Sequence, residues 1–410
     1  MTRVCLIESK RTPFTRINTA LARYSSLELS LKLLEKFLEQ ISPHPIDEMI
    51  YSSVLMDPRI PDLGRELVLR SSMDKRITGH FISNNCISGL VASAFVCDGI
   101  KTGRIRSGLA GGVETMSQPA LLFSKKATQF FLKLAAAKTL KDKLFVLSSF
   151  KVSFLSPEAP SPKEPSTGLT MGQHCEIMAK EFNISRERQD EIAFLSHQNA
   201  AKAKKILEEE IFPIDDVKSD NLVRESTSLE KLSTLKPVFD RTDMGSITAG
   251  NSSPLTDGAS LCFFGSEEYC NQQKIEPLAF VDGIEFSSVA PSDGLLMGPA
   301  LALPKILRKF NLTISDIDRF EIHEAFGAQV AANLDAWERG FKGEKPIGKI
   351  PVEKINVHGG SIALGHPFAA TGGRLLGSLA RDLRRNNLKR GIISVCAAGG
   401  GAAAVLISRP

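Results

Sequence analysis

The hydrophobic pattern of the first hundred residues switches between two periods. "RVCLIE" (3–8) and "EMIYSSVLM" (48–56) are short apolar runs that predict strands. Between them, "SSLELSLKLLEKFLEQI" (25–41) repeats its apolar positions every three or four residues, the signature of an amphipathic helix. "NNCISGLVASAFVCDGIKTG" (84–103) predicts a second helix, rich in small residues and stopped at Gly103, and "SGLAGG" (107–112) a strand after it. Alternation of this kind predicts an α/β sheet protein.

The C-terminal part has the same layout. "GGSIALGHPFAATGGRLLGSLARDLRR" (359–385) is a glycine-bordered turn leading into a long helix, followed by the strands "RGIISVCAAGG" and "AAAVLIS". In both halves a small-residue helix leads to a strand ending in Gly-Gly, which predicts an internal duplication of one α/β unit. Residues 119–247 break this pattern. They hold the Pro/Ser-rich connector "SPEAPSPKEPST" and a helix capped at Ser185, and are expected to form an insertion over one edge of the core.

Composition narrows the class. The chain has 410 residues, 42% hydrophobic and 24% charged, which is ordinary globular composition with room for two or three domains. No apolar run reaches the roughly 18 residues of a membrane span. The N-terminal stretch lacks a signal-peptide or transit-peptide pattern, so a cytoplasmic location is expected. Seven irregularly spaced cysteines without a CxxC argue against a disulfide framework and a structural metal site. The formal charge of +5 is matched by residues 120–160 alone, where seven lysines face Asp142 and Glu158. With three tyrosines, one tryptophan and no nucleic-acid motif, a nucleic-acid platform is not expected. Phe123, Ala127, Phe130, Phe131 and Leu134 fall on one helical stripe in that basic segment. A lid packed on the body is the expected role; contact of residues 120–155 with a membrane surface or a partner is the alternative.

Four short stretches carry candidate chemistry. Cys86, in "ISNNCISGL", sits at a predicted helix start, where free amide N–H groups favour the thiolate. His366, in "SIALGHPFAATGG", lies in a turn fixed by Gly365 and Pro367, and a histidine is the natural base for a thiol. Cys396, in "ISVCAAGGGAAAVLIS", ends a strand before an Ala/Gly run whose backbone amides can hold an oxyanion. In "FEIHEAFG" (320–327), His323 and Glu324 stand between a strand end and a predicted helix start. Alone, each has a plain alternative: a packed core thiol, a turn histidine, a buried strand thiol, a polar turn.

Together, Cys86, "HEAF", "GHP" and "CAAGG" resemble the thiolase family in order and spacing. "RTPF" (11–14), "GGVETMS" (111–117), Met171-Gly172 and "TAGNSSPLTDGA" (248–259) extend the match nearly end to end. The resemblance implies a thiolase fold: two duplicated βαβαβαββ halves in a layered α/β/α/β/α core, plus an inserted loop domain. It divides the chain into an N-terminal half (1–118, completed by 248–269), a loop domain (119–247) and a C-terminal half (270–410).

The resemblance also implies 3-ketoacyl-CoA thiolysis, with coenzyme A as co-substrate and no metal. Cys86 would take the acyl group, His366 would activate it, and Cys396 would exchange a proton with the substrate α-carbon. His323 stands where most thiolases have asparagine, and Ala398 where most have glycine. Arg224 matches a position near the adenine of coenzyme A, and Phe239, Ser253, Ala325 and Phe326 match its pantetheine tunnel. The "HEAF" and "CAAGG" variants and the lysine-rich insert look like thiolase subunits of fatty-acid oxidation complexes, the trifunctional-protein β-subunit and its bacterial anaerobic-type counterpart. Such subunits dimerise and pair with a hydratase/3-hydroxyacyl-CoA dehydrogenase subunit. A biosynthetic acetoacetyl-CoA thiolase and a ketoacyl-synthase-like condensing enzyme are the alternatives; the latter lacks the second cysteine.

Overall fold

The computed structural model describes residues 2–410. Nine main strands are numbered along the chain. They are β1 (Val4–Arg11), β2 (Glu48–Ser52), β3 (Thr78–Ile82), β4 (Ser107–Glu114), β5 (Thr256–Ser266), β6 (Ala279–Ser288), β7 (Arg319–Ile322), β8 (Arg390–Cys396) and β9 (Gly401–Ser408). The longer helices are α1 (Ser26–Ile41), α2 (Leu63–Arg70), α3 (Ser88–Lys101), α4 (Lys125–Ala136), α5 (Leu140–Leu147), α6 (Met171–Glu181), α7 (Arg186–Lys202), α8 (Pro299–Lys309), α9 (Gly327–Arg339) and α10 (Phe368–Arg385).

The strands run in the order β7-β8-β9-β6-β1-β5-β4-β2-β3. The β1–β6 contact spans only Cys5↔Phe280 and Leu6↔Ala279, so two sheets meet there by a short seam. On one side, β3, β2 and β4 are parallel, and β5 and β1 follow antiparallel. On the other, β7 and β8 are parallel, and β9 and β6 follow antiparallel. A parallel bridge, Phe320↔Ile355, stands where β3 has its counterpart. The duplication expected from sequence is therefore present, with β1, β2, β4 and β5 repeated as β6, β7, β8 and β9.

The core follows from which faces are apolar. One outer layer sets Leu33, Phe37, Leu67 and Val68 of α1 and α2 against Met49, Leu109 and Phe263 of the first sheet. The other sets Leu303, Ile306, Val330 and Trp337 of α8 and α9 against Phe320, Ile392 and Leu406 of the second. Between the sheets lie α3 and α10, with Leu90, Val96, Leu375, Leu376 and Leu379 fully buried or nearly so. Burial from both sides explains why these two helices are so rich in small residues. A side chain on Gly89 would collide with the Ala369 carbonyl, and one on Gly372 with Leu90.

The inserted region is tied down at its far end. Buried Arg11, from "RTPF", donates Nε to Glu210 (2.8 Å) and a two-pronged pair of bonds to Asp220 (2.7 and 2.8 Å). The helix expected from its cap at Ser185 through "LEEEIF" (185–212) is interrupted after α7; a short helix, Lys204–Glu208, continues it and ends before Ile211.

Residues 122–158 differ from the expected lid. Leu122–Phe123 pairs with Pro157–Glu158 as a two-residue stem. Above it, Phe130 gathers Phe131, Phe150 and Phe154 with ring centroids 5.3–5.6 Å away. This cluster packs α4 and the turn Val152–Leu155 onto each other rather than onto the sheets. Only Ala127 and Phe130 of α4 are buried, and none of α5. Leu140 (74% exposed), Phe145 (79%) and Val152 (79%) face outward among the lysines. The helical stripe was real, but it is filled by the insert's own aromatics. Among the described residues, no helix is long and apolar enough to cross a membrane.

Candidate active site

The catalytic candidates converge because equivalent strand ends of the two halves face each other. Cys86 follows β3 and opens α3, and His366 stands at the equivalent place before α10. Cys396 ends β8 as Glu114 ends β4, and His323 follows β7 as Ser53 follows β2. One repeat thus carries the thiol at the helix start and the other carries the imidazole.

The two histidine rings lie 4.0 Å apart, centroid to centroid. His323 Nδ1 meets Ser361 Oγ at 2.8 Å, and His366 Nδ1 meets Thr371 Oγ1 at 2.7 Å. Both Nε2 atoms are buried with no protein partner. Two adjacent unpartnered ring nitrogens are costly to bury unless they serve a ligand. Ser361 Oγ also accepts from Arg374 Nη2 (3.3 Å), which favours donation of its own proton to His323 Nδ1 and leaves Nε2–H as a donor. Burial, aided by the Arg374 cation, holds His366 neutral down to about 3. Burial, His366 and Arg374 push His323 well below the usual imidazole range as well. The His366 turn is fixed by its N–H, which donates to Thr256 Oγ1 (3.1 Å), and by Gly365 at φ +92°.

Cys86 is half-buried. Burial pushes its thiol up to about 12, with Glu114 and Glu164 adding to the rise and the backbone amides of Ala398 and of Cys86 itself working against it. The helix start therefore does not dominate its acidity as the sequence suggests. A base beside it is then needed to make a thiolate. Cys396 is fully buried, and burial together with Cys86 and Cys175 nearby raises its thiol well above the ordinary value.

Glu324 does not enter this pocket. Its carboxylate accepts from Ser196 Oγ (2.7 Å), Asn356 Nδ2 (2.6 Å) and the Ile362 amide (3.1 Å). It therefore ties the His323 loop to α7 and to the segment that carries Ser361. Sequence reasoning left Ser361, Thr371, Asn356 and Glu114 without roles. Ser361 and Thr371 stand inside the "SIALGHPFAAT" stretch, but only their distance from the rings singles them out.

Four of the five coenzyme A candidates lie together. Phe239 meets Phe326 edge-on (6.0 Å, 85°) and covers Gly172, leaving no room for a side chain there. The Ser253 amide donates to the Ala325 carbonyl at 2.9 Å. Arg224 is exposed at the rim of a cavity of about 230 Å³ shared with Arg16, His197, Gly250 and Ser252. Since Ser252 bridges Phe326, this cavity and the Phe239–Ala325 group adjoin. Among the described residues, no cluster of His, Cys, Asp or Glu could hold a metal ion.

A thiol, a neutral imidazole and aimed backbone amides suit acyl transfer through a thioester. Comparison with known proteins agrees. The "Thiolase, N-terminal domain" family matches residues 4–268, and "Thiolase, C-terminal domain" matches residues 275–409. The chain is 34% identical to a 3-ketoacyl-CoA thiolase of Shewanella sediminis, over 99% of this chain and 96% of the relative. It is 36% identical to one of Pseudoalteromonas translucida, over 99% and 97%. Among solved structures, human mitochondrial 3-ketoacyl-CoA thiolase in complex with CoA superposes with TM-score 0.85 at 29% identity, covering 100% of this chain and 98% of that one. An acetyl-CoA acetyltransferase from Syntrophomonas wolfei superposes with TM-score 0.87 at 28% identity, with full coverage of both. The chain belongs to the thiolase family.

Proposed function

We propose that this chain is a 3-ketoacyl-CoA thiolase of fatty-acid β-oxidation, an acyltransferase that cleaves 3-ketoacyl-CoA with coenzyme A to acetyl-CoA and a shortened acyl-CoA. The observation that supports the reading is the pair of buried, unpartnered imidazole nitrogens on rings 4.0 Å apart, at strand and helix ends equivalent to those that carry the two neighbouring thiols. His366 takes the Cys86 proton, and the Cys86 sulfur attacks the 3-keto carbon. The oxyanion on that carbon is held by backbone N–H groups at Cys86 and Ala398. The carbon–carbon bond breaks, its electron pair forms an acetyl-CoA enolate, and the Cys396 thiol protonates that enolate. The Cys396 thiolate then takes the thiol proton of coenzyme A, whose sulfur attacks the Cys86 thioester; the shortened acyl-CoA leaves, and the Cys86 thiolate recovers its proton from His366. The imidazoles of His323 and His366 face the thioester oxygen; their neutral state lets each donate or accept one hydrogen bond.

Coenzyme A binding fits the Arg224 cavity for the adenine end and the Phe239, Ser253, Ala325, Phe326 group for the pantetheine. The loop domain over 119–247 would then cover the cofactor, between an N-terminal half (1–118 with 248–269) and a C-terminal half (270–410). The exposed apolar side chains and lysines of α4 and α5 suit contact with an anionic membrane surface. The same reading carries a homodimer, a hydratase/3-hydroxyacyl-CoA dehydrogenase partner and a cytoplasmic location, in keeping with the oxidation-complex branch and seven free thiols.

Thiolysis of 3-ketohexadecanoyl-CoA tests the reading, followed as coenzyme A-dependent loss of the substrate's enolate absorbance. Turnover that depends on coenzyme A is expected. A folded protein without thiolysis, or one that only condenses acyl groups, would sink it in favour of a condensing enzyme.

A further inference from the structure

We propose that Glu164 is a positioning residue that fixes the oxyanion loop after Cys396, so that the Ala398 amide stays aimed at Cys86. This rests on the reading of Ala398 as a donor to the oxyanion. The loop "AAGGG" (397–401) has Gly399 and Gly400 at φ +76° and +77°, and three successive glycines leave its backbone many alternatives. Contacts must therefore select one conformation. Ala397 N–H donates to the Gly401 carbonyl (2.8 Å), and Val289 N–H donates to the Gly400 carbonyl (3.0 Å). Asn85 Nδ2, next to the nucleophile, donates to the Ala398 carbonyl (3.0 Å). From the opposite side, Gly399 N–H donates to Glu164 Oε1 at 2.9 Å.

The Asn85 and Glu164 bonds grip the two ends of one peptide plane, the one joining Ala398 to Gly399, and so fix the orientation of the chain just after the Ala398 N–H. The Ala398 N–H, on the preceding peptide, takes part in neither bond, and the Asn85 contact holds Ala398 beside the residue that precedes Cys86. Because Glu164 occupies the Gly399 amide, it also decides which amide of the loop faces substrate. A charged acceptor makes that bond stronger than a neutral one.

Glu164 is itself held rigidly and buried. Its N–H donates to the Leu169 carbonyl and its carbonyl accepts from Gly168 N–H, both at 2.8 Å. Lys163 bridges Thr170, and Thr167 Oγ1 meets His174 Nε2 of α6 at 2.6 Å. The turn 163–170 is thus a tight strap that delivers one carboxylate from the insertion to the catalytic loop. Nothing in the catalytic steps above uses this carboxylate, and its charge works against the Cys86 thiolate. A structural benefit elsewhere is needed to explain its place, and the Gly399 bond supplies one.

Steady-state thiolysis by the purified full chain tests this with three variants. Glu164→Ala should lower kcat by about 10- to 100-fold, somewhat less than loss of an oxyanion donor outright, with KM for both substrates nearly unchanged. Glu164→Asp keeps the charge but falls short of the Gly399 amide, and should lose kcat likewise. Glu164→Gln keeps the acceptor and the reach, and should restore kcat to within about threefold of wild type. Wild-type kcat in the Ala or Asp variant, or a Gln variant as slow as Ala, overturns the inference. Should Glu164→Ala fail to fold, the near-isosteric Asp and Gln variants decide alone. Acyl transfer from acyl-CoA to wild-type Cys86, read by intact mass, is the control. A wild type that forms no adduct contradicts the site reading and this inference with it; adduct formation with an unaffected Ala variant contradicts only the inference.

Discussion

Two imidazole rings lie 4.0 Å apart, Cys86 stands close enough to Cys396 to raise its thiol, and burial drives all four groups toward their neutral forms. For Cys86 this means a thiol near 12 that depends on a base; for His366 it means a neutral imidazole, with one ring nitrogen free to accept a proton, at working pH. The same depression is a stability term with a definite sign. The unfolded chain protonates this imidazole near the ordinary 6.5, whereas the folded chain does so only near 3. The stabilisation is therefore complete above 6.5 and is lost as pH falls from there toward 3. At pH 5 the loss amounts to about 2 kcal/mol. Urea unfolding of His366→Asn should show about 2 kcal/mol less destabilisation between pH 7.5 and 5 than wild type. Equal losses in the two proteins would contradict a neutral buried His366. Cys86, His366 and Cys396 stand out as candidates in the sequence because each sits in a short motif. Their acidities do not. A helix start is visible in sequence, but the desolvation that outweighs it at Cys86 comes from packing in a core cluster assembled from both halves of the chain.

At the scale of elements, small-residue helices and strands ending in Gly-Gly announced the duplication. They did so because α3 and α10 are squeezed between two sheets: Gly89 and Gly372 permit the helices to meet, and Gly373 and Gly112 permit α10 to meet the first sheet. The strand-order repeat itself needed the structure, since β7 has four residues and the counterpart of β3 shrinks to a single bridge at Ile355. Glu324 shows a similar limit. "FEIHEAFG" marks a functional tip, yet its carboxylate points away to Ser196, Asn356 and Ile362, partners far off in sequence. The α4–α5 hairpin was read correctly as amphipathic and incorrectly as a lid. Period alone does not say whether an apolar stripe meets the body or its own neighbours. Deleting residues 125–150 should abolish co-sedimentation with anionic lipid vesicles while thiolysis continues. Unchanged sedimentation on deletion, or a full-length chain that stays in the supernatant, would remove the membrane role.

The molecule as a whole is an arrangement for bringing two copies of one unit into chemical opposition. The N-terminal half supplies Cys86, the proposed nucleophile, just before α3. The C-terminal half supplies both imidazoles and the second thiol, and the insertion reaches over both through Glu164, Ser196 and Arg224. The central claim is the division of labour between the two thiols: Cys86 carries the acyl group and Cys396 moves the proton on carbon. Intact mass after incubation with hexadecanoyl-CoA, run alongside thiolysis, tests it most directly. Wild type and Cys396→Ala should both gain one hexadecanoyl group, Cys86→Ala none, and only wild type should cleave 3-ketohexadecanoyl-CoA. An acyl adduct on Cys86→Ala, or carbon–carbon cleavage by Cys396→Ala at the wild-type rate, would contradict the account.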